Sequence, residues 1–221
     1  MTHSNHRRGD RESLKNDYVV LAMMSRAATT PEQRKILEPG FKKMLAVLAK
    51  YNPVCLTTSK GAQERFRYIK GWKDGCTIKD ILEVETPRSL TAVFDNKESL
   101  KKALMEVKKA DLGLSVVVSG IFEEVFDVCK TIGVGPHTAN MSGETWGRTE
   151  LLPDEGILEL TTMCGHALVS QNLTRHLIDR VRKGRMTALE AGAELSRQCA
   201  CGIYNPVRAA KLIEKYIATH R

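Results

Sequence analysis

The chain of 221 residues carries 34 Lys and Arg against 26 Asp and Glu, a formal net charge of +8, with 42% hydrophobic and 27% charged residues. That length allows one large domain or two small ones around a real core. No apolar run is long enough to span a bilayer, and an aromatic content of 5% leaves no row of stacking platforms for single-stranded nucleic acid.

Residues 1–16 are basic and polar without an apolar h-region, so they read as a flexible basic tail rather than a secretory signal. A cytoplasmic protein is expected. The apolar run "DYVVLAMMS" (17–25) predicts a strand or a buried helix start. Thr30-Pro31-Glu32-Gln33 is a capping box with proline at the first helical position. The helix it opens is expected to break at Glu38-Pro39-Gly40 and resume through "FKKMLAVLAKY". "PVCLTTS" (53–59) predicts a strand leading into a helix at about 61–71, with Cys55 as inert core.

The middle of the chain alternates. "SLTAVFDN" and "LSVVVSG" predict strands. "KESLKKALMEVKKADL" and "IFEEVFDVCKTIG" predict helices, the second closed by Gly133 and carrying Cys129 on its core face. Further strands are expected within "PHTANMSGETWG" (136–147) and at "GILELTT" (156–162). The fold class is therefore α+β or α/β, with a small mixed, ferredoxin-like sheet and helices on one face across 17–150. A cysteine-bearing helical region, 151–221, is expected to pack on the same core.

That region reads as a hairpin plus a terminal helix. Leu168, Leu173, Leu177 and Val181 keep helical spacing from Cys164 to Gly184. Thr187 and Glu190 frame a capping box for a helix ending near Cys199. Asn205 and Pro206 supply the N-cap and first position of the last helix. The basic run 175–185 reads as the solvated face of the first hairpin helix. Its alternative, nucleic-acid binding, lacks an accompanying recognition motif.

The six cysteines are Cys55, Cys76, Cys129, Cys164, Cys199 and Cys201. Without a secretion signal, clustered cysteines point to metal binding or catalysis rather than to a disulfide framework. Cys164, in "TTMCGHALVS", is expected to follow a strand and open a helix, whose N-terminus would favour its thiolate. An antiparallel hairpin turns "CAC" (199–201) back toward it. With helices of about 20 and about 12 residues the second falls short by roughly 12 Å, a gap that a later start of the first helix would narrow.

Three thiolates at one point suit a [4Fe–4S] cluster with one open iron, which would bind a small anionic substrate for non-redox lyase or hydratase chemistry, or for sulfur removal or transfer. With His166 as fourth ligand the same residues suit zinc and an interaction module. Thiol redox or nucleophilic chemistry is a further use, and three unrelated buried cysteines the plain alternative. His166, or His137 with Asn140 in a glycine-rich loop, would supply acid–base chemistry. Arg208, with Asn205 at the start of the last helix, would meet a substrate carboxylate. Trp146 could wall a pocket or simply pack.

Overall fold

Two periodicities set the architecture: strands that alternate and helices that bury one stripe. The computed structural model describes residues 7–23, 30–59, 65–85, 87, 89–140 and 145–220. In chain order the elements are α1 (Arg11–Leu14), β1 (Tyr18–Met23), α2 (Pro31–Ala49), β2 (Cys55–Ser59), β3 (Arg65–Ile69), α3 (Ile78–Leu82), β4 (Ser89–Phe94), α4 (Lys97–Ala110), β5 (Val116–Ser119) and α5 (Phe122–Thr131). A 3₁₀ turn at Thr149–Leu151 precedes α6 (Glu155–Thr161), α7 (Gln171–Arg182), α8 (Ala188–Arg197) and α9 (Pro206–Thr219). The protein is a mixed α+β fold on one five-stranded sheet, ordered β3-β2-β4-β1-β5, in which every neighbouring pair is antiparallel.

The sheet separates two cores. Val20, Ala22, Leu56, Leu90, Ala92 and Phe94 face α2–α5. Their neighbours Val19, Leu21, Cys55, Ile69 and Val93 point the other way, into α6–α9. The C-terminal helices thus form a separate layer against the opposite face. Cys55 is fully buried in that second core, and Cys129 packs against the first.

Several local expectations are corrected. "GILELTT" is helix α6, not a strand. Asp154 caps it by accepting from the Ile157 N–H, and Ile157, Leu158 and Leu160 are buried. Residues 65–69 form β3 where a helix was expected, and 61–64 lie outside the described residues. No strand forms at 136–140 or 145–147; positions 141–144 lie outside the described residues. Helix α2 runs unbroken through Pro39. Pro39 is exposed, so the Lys35 carbonyl that loses its N–H partner can turn to solvent. Cys164 sits in the turn after α6, and α7 begins seven residues later, at Gln171.

That late start closes the hairpin. Helix α7 has 12 residues and α8 has 10, a mismatch of about 3 Å at 1.5 Å per residue. Helix α9 then packs against α8 at Gly192, where an added Cβ would lie 2.4 Å from the Pro206 carbonyl oxygen. Alanine is the better helix former by about 1 kcal/mol, but backbone cannot yield as a flexible side chain does. Gly192→Ala is therefore expected to destabilise the fold by about 1–3 kcal/mol, read as a lower midpoint in urea unfolding.

Candidate functional site

The two cysteine turns are built alike. In the first, the Ala167 N–H closes on the Cys164 carbonyl at 3.0 Å, and Ala167 takes a left-handed φ of 52°. In the second, the Gly202 N–H closes on the Cys199 carbonyl at 3.2 Å, and Gly202 has φ 72°. Each left-handed residue lies three positions after its cysteine and bends the following backbone toward the sulfur. The N–H groups of His166 and Leu168 favour a thiolate at Cys164, and those of Cys201 and Tyr204 favour one at Cys199. Turns of this kind make concavities lined with N–H donors that accept anions, and they recur at iron–sulfur sites.

The turns meet. Cys164 and Cys199 act on each other directly, in the sense that favours the proton on Cys164 and the thiolate on Cys199. That interaction, the N–H donors and the Arg67 charge pull Cys199 down to about 5, against burial. Cys164, which keeps its proton in a buried place, is pushed well above the ordinary thiol range. Cys201 lies half-buried with its Sγ 3.3 Å from His166 Nδ1, and burial together with the Cys199 charge pushes it up to about 11.

Two arginines hold the turns. Arg67, on β3, donates to the Ser196 carbonyl, to Ser196 Oγ at 2.9 Å and to the Cys199 carbonyl at 3.2 Å. Arg7 donates to the carbonyls of Met163 and Ile203, one beside each cysteine turn, and to Asp17. The sheet completes the seat: Thr91 Oγ1 donates to the Cys201 carbonyl at 2.8 Å, and Gly202 lies so close to Thr57 that an added Cβ would sit 2.7 Å from its side chain.

The sequence reading thus named four residues that the structure brings together, Cys164, His166, Cys199 and Cys201. As they stand, no three His, Cys, Asp or Glu side chains among the described residues form a set that could hold a metal ion. His137 and Asn140 line a different cavity of about 840 Å³ beside β5, whose wall includes none of the four. Trp146 is 82% exposed.

Arg208 and Asn205 have protein partners. Arg208 is buried and donates to Asp17 Oδ2, Ser13 Oγ and the Arg8 carbonyl. Asn205 caps α9 and donates to Asp17 Oδ1 and the Asn16 carbonyl. The carboxylate that Arg208 meets is thus the chain's own. Along the basic run, Lys183 pairs with Asp179 and Arg175 with Asp154. Sequence reasoning missed Arg7 and Arg67. The alternation "RFRYI" carried the signal for Arg67, since its arginines share one strand face.

Among the described residues no helix is long and apolar enough to cross a membrane. Comparison with known proteins finds no matching family model, no matching curated protein and no matching solved structure.

The lowered Cys199 pKa makes stability depend on pH in the metal-free, reduced chain. Between about 5 and the ordinary thiol value of 9.0 the unfolded state holds a proton that the folded state has released, so unfolding free energy rises with pH across that window. Above 9 the trend reverses, because Cys164, pushed well above the ordinary thiol range, and Cys201, pushed up to about 11, keep their protons only in the fold. Urea unfolding from pH 5 to pH 9 is expected to show the rise in the wild type and to lose most of it in Cys199→Ser.

Proposed function

We propose that Cys164, Cys199 and Cys201 are the ligands of a [4Fe–4S] cluster with one open iron, in an enzyme acting on a small anionic substrate. The observation that carries this reading is the pair of matched turns, each closing on the carbonyl of its cysteine through a left-handed residue, with backbone N–H groups that favour the thiolate at Cys164 and at Cys199. Cys201, two residues after Cys199 in the second turn, would serve as third ligand by rotating its side chain from His166 toward the pair. The cluster would supply a Lewis-acidic iron for lyase or hydratase chemistry, or for removal or transfer of a substrate sulfur. His166, exposed beside Cys201, would carry a proton, whereas His137 lines the other cavity.

The Cys201–His166 contact favours a second reading, a structural zinc held by Cys164, His166, Cys199 and Cys201 in an interaction module. Metal analysis separates the two. Under the first, anaerobic reconstitution with iron and sulfide gives a brown protein with about four irons and four sulfides per chain. Replacing any one of the three cysteines by Ser then removes most of the chromophore, and the losses are not additive. Replacing Cys76 or Cys129 leaves it in place. His166→Ala keeps the chromophore under the first reading and weakens metal retention under the second. A colourless chain holding neither iron nor zinc after reconstitution overturns both.

A further inference from the structure

We infer that the cavity between α4, β5 and α5 binds a small molecule with an aliphatic chain, at a site of its own apart from the cysteine turns. None of Cys164, His166, Cys199 and Cys201 lines it, so it stands or falls independently of the metal reading.

The sheet face beneath α2–α5 is closed over β1 and open at β5. On β1, Val20 and Ala22 are fully buried. β5 places Val118 opposite Val20 and Val116 opposite Ala22, so the two valines continue the same rows onto the edge of the sheet. Both are only half-buried, although α5 packs against β5. Val107 on α4, and Cys129 and Ile132 at the end of α5, are half-buried as well. All five line one cavity of about 840 Å³. A helix with an apolar stripe ordinarily closes on its sheet. Here polar bonds hold α5 along its length. Near its start the Tyr18 hydroxyl, on β1, donates to Glu124. In its middle Asp127 pairs with Lys97 at 2.6 Å. At its end Lys108 donates to the carbonyls of Ile132 and Gly133 at 2.7 and 3.1 Å. These bonds fix the height of α5 over the sheet, so the space is preformed, as small-molecule sites usually are.

The walls select an apolar guest. Val107, Val116, Val118, Val125 and Ile132 are aliphatic, and the Cys129 thiol behaves as a small hydrophobe. Of the charged groups that reach the cavity, Lys108 is taken by the α5 carbonyls, and Arg7 and Asp17 by each other. Shape narrows the guest further. Every residue from Leu112 to Phe122 lines the cavity, so it follows β5 rather than ending at one point of it. At about 3.3 Å per residue, the strand alone gives it a length of roughly 10 Å. Its volume lies inside the range of roughly 300–1,000 Å³ that small-molecule sites occupy. A long space with aliphatic walls suits an unbranched hydrocarbon chain, which can follow the strand, rather than a compact ring.

cis-Parinaric acid, a fluorescent long-chain fatty acid, tests this on the full, reduced chain. Its fluorescence is expected to rise saturably, at one molecule per chain. Oleate and lysophosphatidylcholine separate the sources. Displacement by oleate alone assigns a free carboxylic acid; displacement by both assigns the chain with its headgroup outside. Cys129 reports from within the cavity. Oleate at about ten times its dissociation constant is expected to slow labelling of Cys129 by N-ethylmaleimide about tenfold. Cys76, which packs on the same core but does not line the cavity, keeps its rate. Val118→Phe and Cys129→Phe fill the space from opposite walls. Each is expected to weaken binding about tenfold with an unchanged or higher thermal midpoint, since a void is filled rather than a core overpacked. Where a variant's midpoint falls, the Cys129 and Cys76 rates of the wild type decide. Fluorescence that does not saturate, many molecules per chain, displacement by neither lipid, equal slowing at Cys76, or well-folded variants with wild-type affinity overturns the site.

Discussion

The Asp17 side chain has no solvent exposure, and a carboxylate buried without partners costs several kcal/mol. The fold meets that cost with two guanidiniums and an amide: Arg7, Arg208 and Asn205 all donate to it. The groups come from three places in the chain. Asp17 opens β1, Arg7 precedes α1, and Asn205 and Arg208 begin α9. The ion cluster therefore joins the sheet, the N-terminal segment and the last helix. Arg7 extends the joint by bonding the Met163 and Ile203 carbonyls, so both cysteine turns hang from the same carboxylate. Loss of one partner would leave a buried charge uncompensated, which is why such a cluster behaves as a unit.

That anchoring makes the strained turn at Ala167 intelligible. A left-handed φ at a residue with a Cβ costs roughly 1–2 kcal/mol. The second turn avoids the cost with Gly202, but a Cβ there is also excluded by Thr57, so its glycine answers two demands. Ala167 is exposed and meets no such crowding. Its strain is offset by what the bend achieves, an N–H at Leu168 turned back to the Cys164 sulfur. Strain of this kind gathers where a backbone is held for a purpose other than its own stability.

The starts of α8 and α9 were legible because their signals are local. The box from Thr187 to Glu190 forms as read, and Asn205 with Pro206 starts α9. Helix α6 was not legible. Seven residues are too few for helical periodicity to show, and its Ile and Thr favour a strand. Packing against α7 and α9 decides the matter, with Asp154 as the cap that could have been read. Pro39 misled in the opposite direction: a proline breaks a helix when the freed carbonyl is buried, and sequence does not report exposure. The convergence of Cys164 with Cys199 was readable in outline, since a hairpin must return. Its closeness depended on where α7 begins, and Ser170 caps it there, several residues after the cysteine. The clamps from Arg7 and Arg67 span 156 and 129 positions of chain to reach Met163 and Ser196, which no local pattern encodes.

Strand β3 shows how an apolar face can specify a polar one. Its sequence, Arg65-Phe66-Arg67-Tyr68-Ile69, alternates strictly. Phe66 and Tyr68 pack on the core beneath α2–α5, while Arg65 and Arg67 share the face with Ile69 toward the cysteine turns. A one-residue slip against β2 would bury both arginines in the aliphatic core and turn both aromatics toward the turns. The slipped register would lose aromatic burial and gain two desolvated charges without partners, each far costlier than the hydrogen bonds it breaks. β3 is also an edge strand, paired only with β2, so no second neighbour fixes its register. The two aromatics supply that constraint. The arginine that clamps Cys199 is placed by side chains on the far side of the sheet that never touch the site.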